Sequence, residues 1–361
     1  MAPRGTSVSE PSTGTSSRES DANTCEVSSV TEGRALPDKL ETLDSLDVAV
    51  LTDDVSDNYV SKTPFAVSEF SNVVRHGASV LSGEALLCAN LGFGLRLVSN
   101  VGGKRHTLLF DTGPEGAVFI RNCAALGIAL GEVEAIAVTH GNWDHMAALP
   151  VTIDRIIAQG GRVSVHVNPG MFNDRAIRLS SGIVPVAKVP LPSDLEKRGA
   201  AVVNNHEERL LLDDHFYYSG EIPRVTSFEK GRDDHLCRKH REAPWEPDPL
   251  LLDERMLVAK VHRLGLLVFS SCSHAGIVNV CTYVRTLFPD TPIHTVMGGL
   301  HLGGVMERNI PETVDGLRPF GIRHIITGHC TGWRALHALA NVFGEAVSQS
   351  AVGTTYTFSA T

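Results

Sequence analysis

The segment AIAVTHGNWDHMAALP, residues 135–150, joins an apolar run to side chains with metal-ligating chemistry. The run breaks at Thr139, and His140, Asp144 and His145 follow in quick order. Imidazole nitrogen and carboxylate oxygen suit zinc, and a catalytic zinc site keeps one coordination position for water. Such an ion lowers the pKa of its water to about 7, giving hydroxide at neutral pH, and polarises a carbonyl or phosphoryl oxygen. Position 142, where another imidazole would extend the pattern, carries Asn, whose amide oxygen is a poorer zinc ligand.

Three other apolar runs end in the same way: LLVFSSCSH at His274, HTVMGGLH at His301 and HIITGH at His329. A strand delivers its last side chain beyond the sheet edge, so neighbouring strands can aim several polar groups at one point. One such histidine reads more simply as a cap or a core residue. Four of them beside an Asp-His pair point to a shared metal. Cys272 and Cys330 adjoin this set; burial as small side chains is the favoured reading, with thiolate ligation the alternative. His166, in VSVHVNP, either lines a pocket or belongs to the core. Glu221 and Arg224, in GEIPR, either hold an anionic substrate group through the arginine fork or form a structural ion pair. Trp143 is a pocket wall or core, and KGRDDHLCRKHREAPW reads as a solvated loop, placed where it could serve as a lid.

Strands and helices must position these residues. LDVAVLTDD reads as a first strand, and FGLRLVSNVGGKRHTLLFDTG as a hairpin turning at Gly102-Gly103. EGAVFIRNCAALGI has helical spacing, with Phe119, Cys123 and Leu126 on one side. A strand over 134–139, an amphipathic helix from Asp144 to Ala158 and the strand GRVSVHVNPG follow. Residues 170–255, rich in loops and prolines, give no clear pattern. The second half repeats the rhythm: MLVAKV and GLLVFSSCSH as paired strands, helices over 275–288 and 311–319 and in GWRALHALANVFG, and strands PIHTVMGGLH, RHIITGHC and TTYTF. This order predicts two mixed sheets packed together with helices outside. Neither GxGxxG nor a P-loop is present.

The 361 residues suffice for one large domain or two ordinary ones. No apolar run reaches the ~18–20 residues of a spanning helix, so a membrane partner is not expected. A net charge of −9 without a basic block argues against a nucleic-acid partner and leaves a small-molecule substrate. Seven scattered cysteines with no CxxC indicate a reducing compartment. Residues 1–40 read as a disordered Ser/Thr-rich tail preceding a domain over 41–361. The tail lacks a secretory core, and Glu10, Glu19, Asp21, Glu26 and Glu32 count against organellar import without closing it. A cytoplasmic location is the expectation; these patterns do not encode an oligomeric state.

THGNWDH resembles the HxHxDH signature of the metallo-beta-lactamase superfamily. LLFDTGPEG, SSCSHAGIVN, GGLHL and TGHCTG follow that family's order. With SGEIPRVTSFE and DPLLLDERMLV, the chain is most similar to the dihydropterin-ribofuranosylaminobenzene-phosphate synthase-like branch, over roughly residues 46–358. The resemblance implies an α/β (α+β) fold, a four-layer αββα sandwich of two mixed sheets. It implies a first metal site with His140 and His274, and a second with Asp144, His145 and His329. Asn142 would be a weak ligand, and Asp111 would brace the loop without touching metal. The family's bridging Asp has no counterpart, and His301 is the candidate replacement. The implied activity is hydrolysis by metal-bound hydroxide of an ester, phosphoester or related small molecule, with pterin- and phosphate-bearing compounds among the candidates. Asp144 would orient the nucleophile, and His301 would stabilise charge or shuttle protons. Zinc is the default metal, one ion tight and a second weaker, with iron or manganese as alternatives. The competing functions are an iron-dependent oxidoreductase on the same fold and a non-catalytic metal- or ligand-binding protein.

Overall fold

A computed structural model describes residues 36–59 and 64–360. Of the expected tail, residues 1–35 lie outside the described residues. Leu40 is buried among Tyr217, Met256 and Val258, so the core begins before the expected domain boundary. Leu40→Ala is expected to cost about 2–5 kcal/mol, as large-to-small core substitutions do. Chemical denaturation checks this, and a change below about 0.5 kcal/mol would put Leu40 outside the cooperative core.

Strand Ser45–Thr52 shows how the layers arise. Its side chains alternate across the sheet: Leu46, Val48 and Val50 enter one apolar cluster, and Ala49 and Leu51 another. Strand Gly265–Phe269 does the same in the second half, sending Leu267 and Phe269 to the shared inner cluster and Leu266 and Val268 outward. The inner cluster therefore lies between two sheets. The outer ones are covered by helices Gly116–Ala125 and Leu149–Ala158 on one side, and by Ile277–Leu287, Ile310–Leu317 and Trp333–Phe343 on the other. This is the expected four-layer sandwich, and both large sheets have eight strands of mixed direction.

Direction decides where the chemistry goes. In the first sheet, Lys104–Phe110, Ala135–Ala137 and Ser164–Val167 run parallel in neighbouring positions, so Asp111 and His140 leave by the same edge. In the second, Gly265–Phe269, Ile293–Gly299 and His324–Gly328 are parallel neighbours, and His274, His301 and His329 follow their C-terminal ends. The hairpin at Gly102-Gly103 forms as expected, pairing Val101 with Lys104.

Two expectations change. The helix anticipated from Asp144 to Ala158 is two, Trp143–Met146 and Leu149–Ala158. Pro150 explains the interruption: it has no N–H to donate and is tolerated in a helix's first turn, so it begins the second helix. The segment without a clear pattern contains a third, four-stranded sheet, whose strands include Asp174–Leu179 and His235–Arg238. Part of the charged segment expected to be a solvated loop is thus a strand. No helix among the described residues is long and apolar enough to cross a membrane.

Candidate metal centre

Asp111 organises the loop that enters the centre. Its Oδ1 accepts from the Thr139 N–H at 2.8 Å. Its Oδ2 accepts from Thr139 Oγ1 at 2.6 Å, Ser271 Oγ at 2.6 Å and His145 Nδ1 at 2.8 Å. The last bond fixes the His145 tautomer and turns Nε2 inward. Thr139 Oγ1, its proton given to Asp111, lies 2.9 Å from His140 Nδ1 and accepts from it. His140 Nε2 is then left buried with no partner.

The side chains proposed for the second site converge. Asp144 Oδ2 lies 3.4 Å from His145 Nε2 and 3.6 Å from His329 Nε2. Burial opposes ionisation of Asp144, but the adjacent His145 and His329 outweigh it and hold the carboxyl down at about 2. Burial likewise opposes a charge on His145, but Asp144 and Asp111 push that imidazole up to about 10, so a cation binding at Nε2 would displace a proton there. Behind His329, Asp53 accepts its backbone N–H at 3.0 Å, and Asp54 Oδ1 lies 3.8 Å from its Nδ1.

On the first-site side, the His140 and His274 rings are 4.7 Å apart. Burial first, then neighbouring imidazoles, hold both well below the usual imidazole range, so they are neutral and able to present lone pairs. His274 Nε2 is buried without a partner, and its backbone N–H is held by Glu254 Oε1 at 2.7 Å. The His301 ring stands 4.2 Å from that of His274, with its Nδ1 unpartnered and its Nε2 3.5 Å from Arg232 Nη1. His235, from the third sheet, completes this wall, its ring 5.6 Å from His274 and 6.3 Å from His301.

Backbone conformation follows the same convergence. Asp111, Ser273, His301 and His329 all have positive φ, at 59°, 58°, 49° and 46°. Each such residue costs of order 1–3 kcal/mol unless the surroundings enforce it, and such positions gather at functional sites.

Asn142 is engaged elsewhere. Its Oδ1 accepts from Arg175 Nη1 at 3.0 Å, and Arg175 Nη2 is paired at 2.6 Å with Asp253, which also holds the Gly141 N–H at 2.8 Å. An imidazole at position 142 would meet this buried guanidinium. Asn142→His alone is therefore expected to leave the weaker site little changed, whereas pairing it with Arg175→Gln should tighten that site. Zinc titration measures the difference, and a second tight ion in the single variant would show that Arg175 moves aside.

The remaining candidates are engaged in other contacts or exposed. His166 Nε2 is 3.0 Å from Ser164 Oγ, its ring faces Tyr218, and burial holds it down at about 4. Glu221 is exposed, and Arg224 donates to the Leu250 carbonyl in surroundings that include Glu254 and Glu229. Neither these two nor His166 belongs to a group of potential ligands among the described residues. Asp53, Asp54, Arg175, Asp253, Glu254, Arg232 and His235 were not singled out from sequence. Arg232 and His235, inside the charged segment, and Asp253 and Glu254, inside DPLLLDERMLV, lay in stretches the sequence already brought forward.

Buried nitrogens without partners are what a cation would satisfy, so the donor set fits a divalent metal. Residues 92–226 match the family model of the metallo-beta-lactamase superfamily. The chain is similar to 7,8-dihydropterin-6-methyl-4-(beta-D-ribofuranosyl)-aminobenzene-5'-phosphate synthase of Methanocaldococcus jannaschii, 26% identical over 261 residues, covering 71% of this chain and 85% of that one. It is also similar to an uncharacterised protein of the same organism, 28% identical over 235 residues, covering 65% of this chain and 83% of the relative. Its fold is similar to that of a metal-dependent hydrolase of the beta-lactamase superfamily, with a TM-score of 0.63, 20% identity, and coverage of 87% of this chain and 100% of that one. Motif, relatives and fold agree in one likeness, and the chain is similar to the metallo-beta-lactamase superfamily in sequence and shares its fold.

Proposed function

We propose that the chain is a metal-dependent hydrolase of a small anionic ester or phosphoester. The observation that carries this reading is the set of buried, partnerless Nε2 atoms of His140, His274 and His329 around Asp144 and His145. His140 and His274 would hold one ion and Asp144, His145 and His329 the other, with zinc the default. When bound, the ions supply Lewis acidity, which acidifies water and polarises a carbonyl or phosphoryl oxygen.

The chain's own groups do the rest. Asp144 is ionised, and an oxygen not engaged by metal would orient the attacking water by accepting its proton in a hydrogen bond. His301 faces the centre with Nδ1 unpartnered and would stabilise developing negative charge or pass a proton. Arg232 beside it would hold an anionic substrate group, with Arg224 as a second cation, while Glu221 and His166 would serve only as hydrogen-bond partners for uncharged parts of the substrate. The 5'-phosphate in the name of the archaeal relative is consistent with a phosphate-bearing substrate for this chain. The six described cysteines are free, in keeping with a reducing, cytoplasmic setting.

A second reading, a metal- or ligand-binding protein without turnover, is favoured by one observation: Asn142 is tied to Arg175. Metal analysis of protein purified without added zinc, joined to a panel of phosphodiesters, phosphomonoesters and esters, separates the two. Chelator-sensitive turnover of a panel member supports the hydrolase. Retained metal with no turnover across the panel supports the second reading, and retained iron moves the account towards oxygen chemistry.

A further inference from the structure

Cys272 is 2% exposed, and it is the one residue common to all three groups of potential ligands among the described residues. It stands with His140 and His274, with His145 and His329, and with His301 and Cys330; within each group the donor atoms lie within 4.8 Å of one another. Its Sγ is 3.3 Å from His145 Nε2, the nitrogen that Asp111 turns inward. We propose that the Cys272 thiolate is a metal ligand at the junction of the two halves of the centre, nearest the tighter site at His145. This rests on the metal-centre reading and adds a residue to it.

Three observations support ligation over packing. A tetrahedral zinc with bonds of about 2.3 Å to sulfur and 2.0–2.1 Å to nitrogen sets those two atoms roughly 3.5 Å apart, close to the separation found here. The imidazoles around Cys272 include three buried Nε2 atoms without partners, those of His140, His274 and His329. The backbone is also shaped to admit this loop: a Cβ on Gly298 would lie 2.0 Å from the Ser270 carbonyl oxygen, and one on Gly299 2.6 Å from that of Ser271. Strand Ile293–Gly299 can approach the Cys272 loop so closely because these two positions lack side chains.

Ligation replaces the S–H bond of Cys272 with a sulfur–metal bond and releases the proton to solvent, with no change of oxidation state. Cys330 Sγ lies 3.5 Å from Cys272 Sγ and is placed to donate to it, which makes Cys330 a positioning residue. A thiolate in the set also biases the centre towards zinc or iron and away from magnesium.

The test loads reduced, metal-free protein with Co²⁺ and compares wild type, Cys272→Ser and Cys330→Ser. Wild type is expected to show an intense thiolate-to-cobalt charge-transfer band in the near ultraviolet. Cys272→Ser should lose that band and Cys330→Ser retain it. Persistence of the band in Cys272→Ser, its loss only in Cys330→Ser, or cobalt bound to wild type without a band would each overturn the proposal while leaving the metal centre intact. A wild type that takes up no cobalt would overturn both. Should Cys272→Ser fail to fold, X-ray absorption of the wild-type zinc protein decides: a sulfur scatterer at about 2.3 Å is expected, and its absence is fatal to the proposal.

Discussion

His329→Ala is expected to remove metal and activity together. The His329 ring lies 3.6 Å from Asp144 Oδ2 and 5.2 Å, centroid to centroid, from His145, and neither of its ring nitrogens has a hydrogen-bond partner. Its backbone N–H is held by Asp53, so alanine keeps the turn while losing the imidazole. Asp144 and His145, with only the shared Cys272 thiolate beside them, would hold zinc much more weakly than the full donor set. The measurements are metal content after gel filtration and turnover on a substrate found in the panel. A variant that keeps its metal and its rate would remove His329 from the centre.

His301→Ala should separate the two properties. The tight ion at Asp144, His145 and His329 stays, because His301 borders His274 and not those three residues. Turnover is expected to fall about a hundredfold or more, in the range of losing an electrostatic or acid–base catalyst. A neutral imidazole with one nitrogen protonated cannot bridge two ions as a carboxylate does, so its role is terminal ligation or charge stabilisation. Full turnover in His301→Ala would return His301 to a structural role at the end of its strand. Loss of the tight ion would place it in the second site.

Both predictions concern residues that local sequence pattern already brought forward, and the reason is geometric. A strand's end is visible where β-branched and aliphatic residues stop, and parallel neighbours then share an edge, as Gly265–Phe269, Ile293–Gly299 and His324–Gly328 do. Alternation made Ser45–Thr52 and its inward leucine and valines equally readable. The groups that hold the ligands in place were not readable. Asp53 supports His329 from 276 positions away, Asp253 pairs with Arg175 across 78, and Ser271 reaches Asp111 across 160. Such contacts leave no periodic trace, because each partner is a single polar residue whose match lies on a distant segment of the chain. The third sheet was obscured for a related reason. Its strands are short, and Gly182–Pro185 and Glu246–Pro247 are exposed throughout, so no apolar alternation marks them. The helix break at Pro150 was legible in principle, since proline limits a helix wherever it falls.

Zinc binding to the wild-type chain tests the central claim most directly. Metal-free protein is titrated in competition with a chelator of graded affinity, and bound metal is counted per chain. The arrangement of Asp144, His145 and His329, against a first site in which Asn142 is held by Arg175, predicts about one ion bound tightly and a second entering only at excess zinc. Protein that competes for no zinc at all, or that binds two ions with equal affinity, would contradict it.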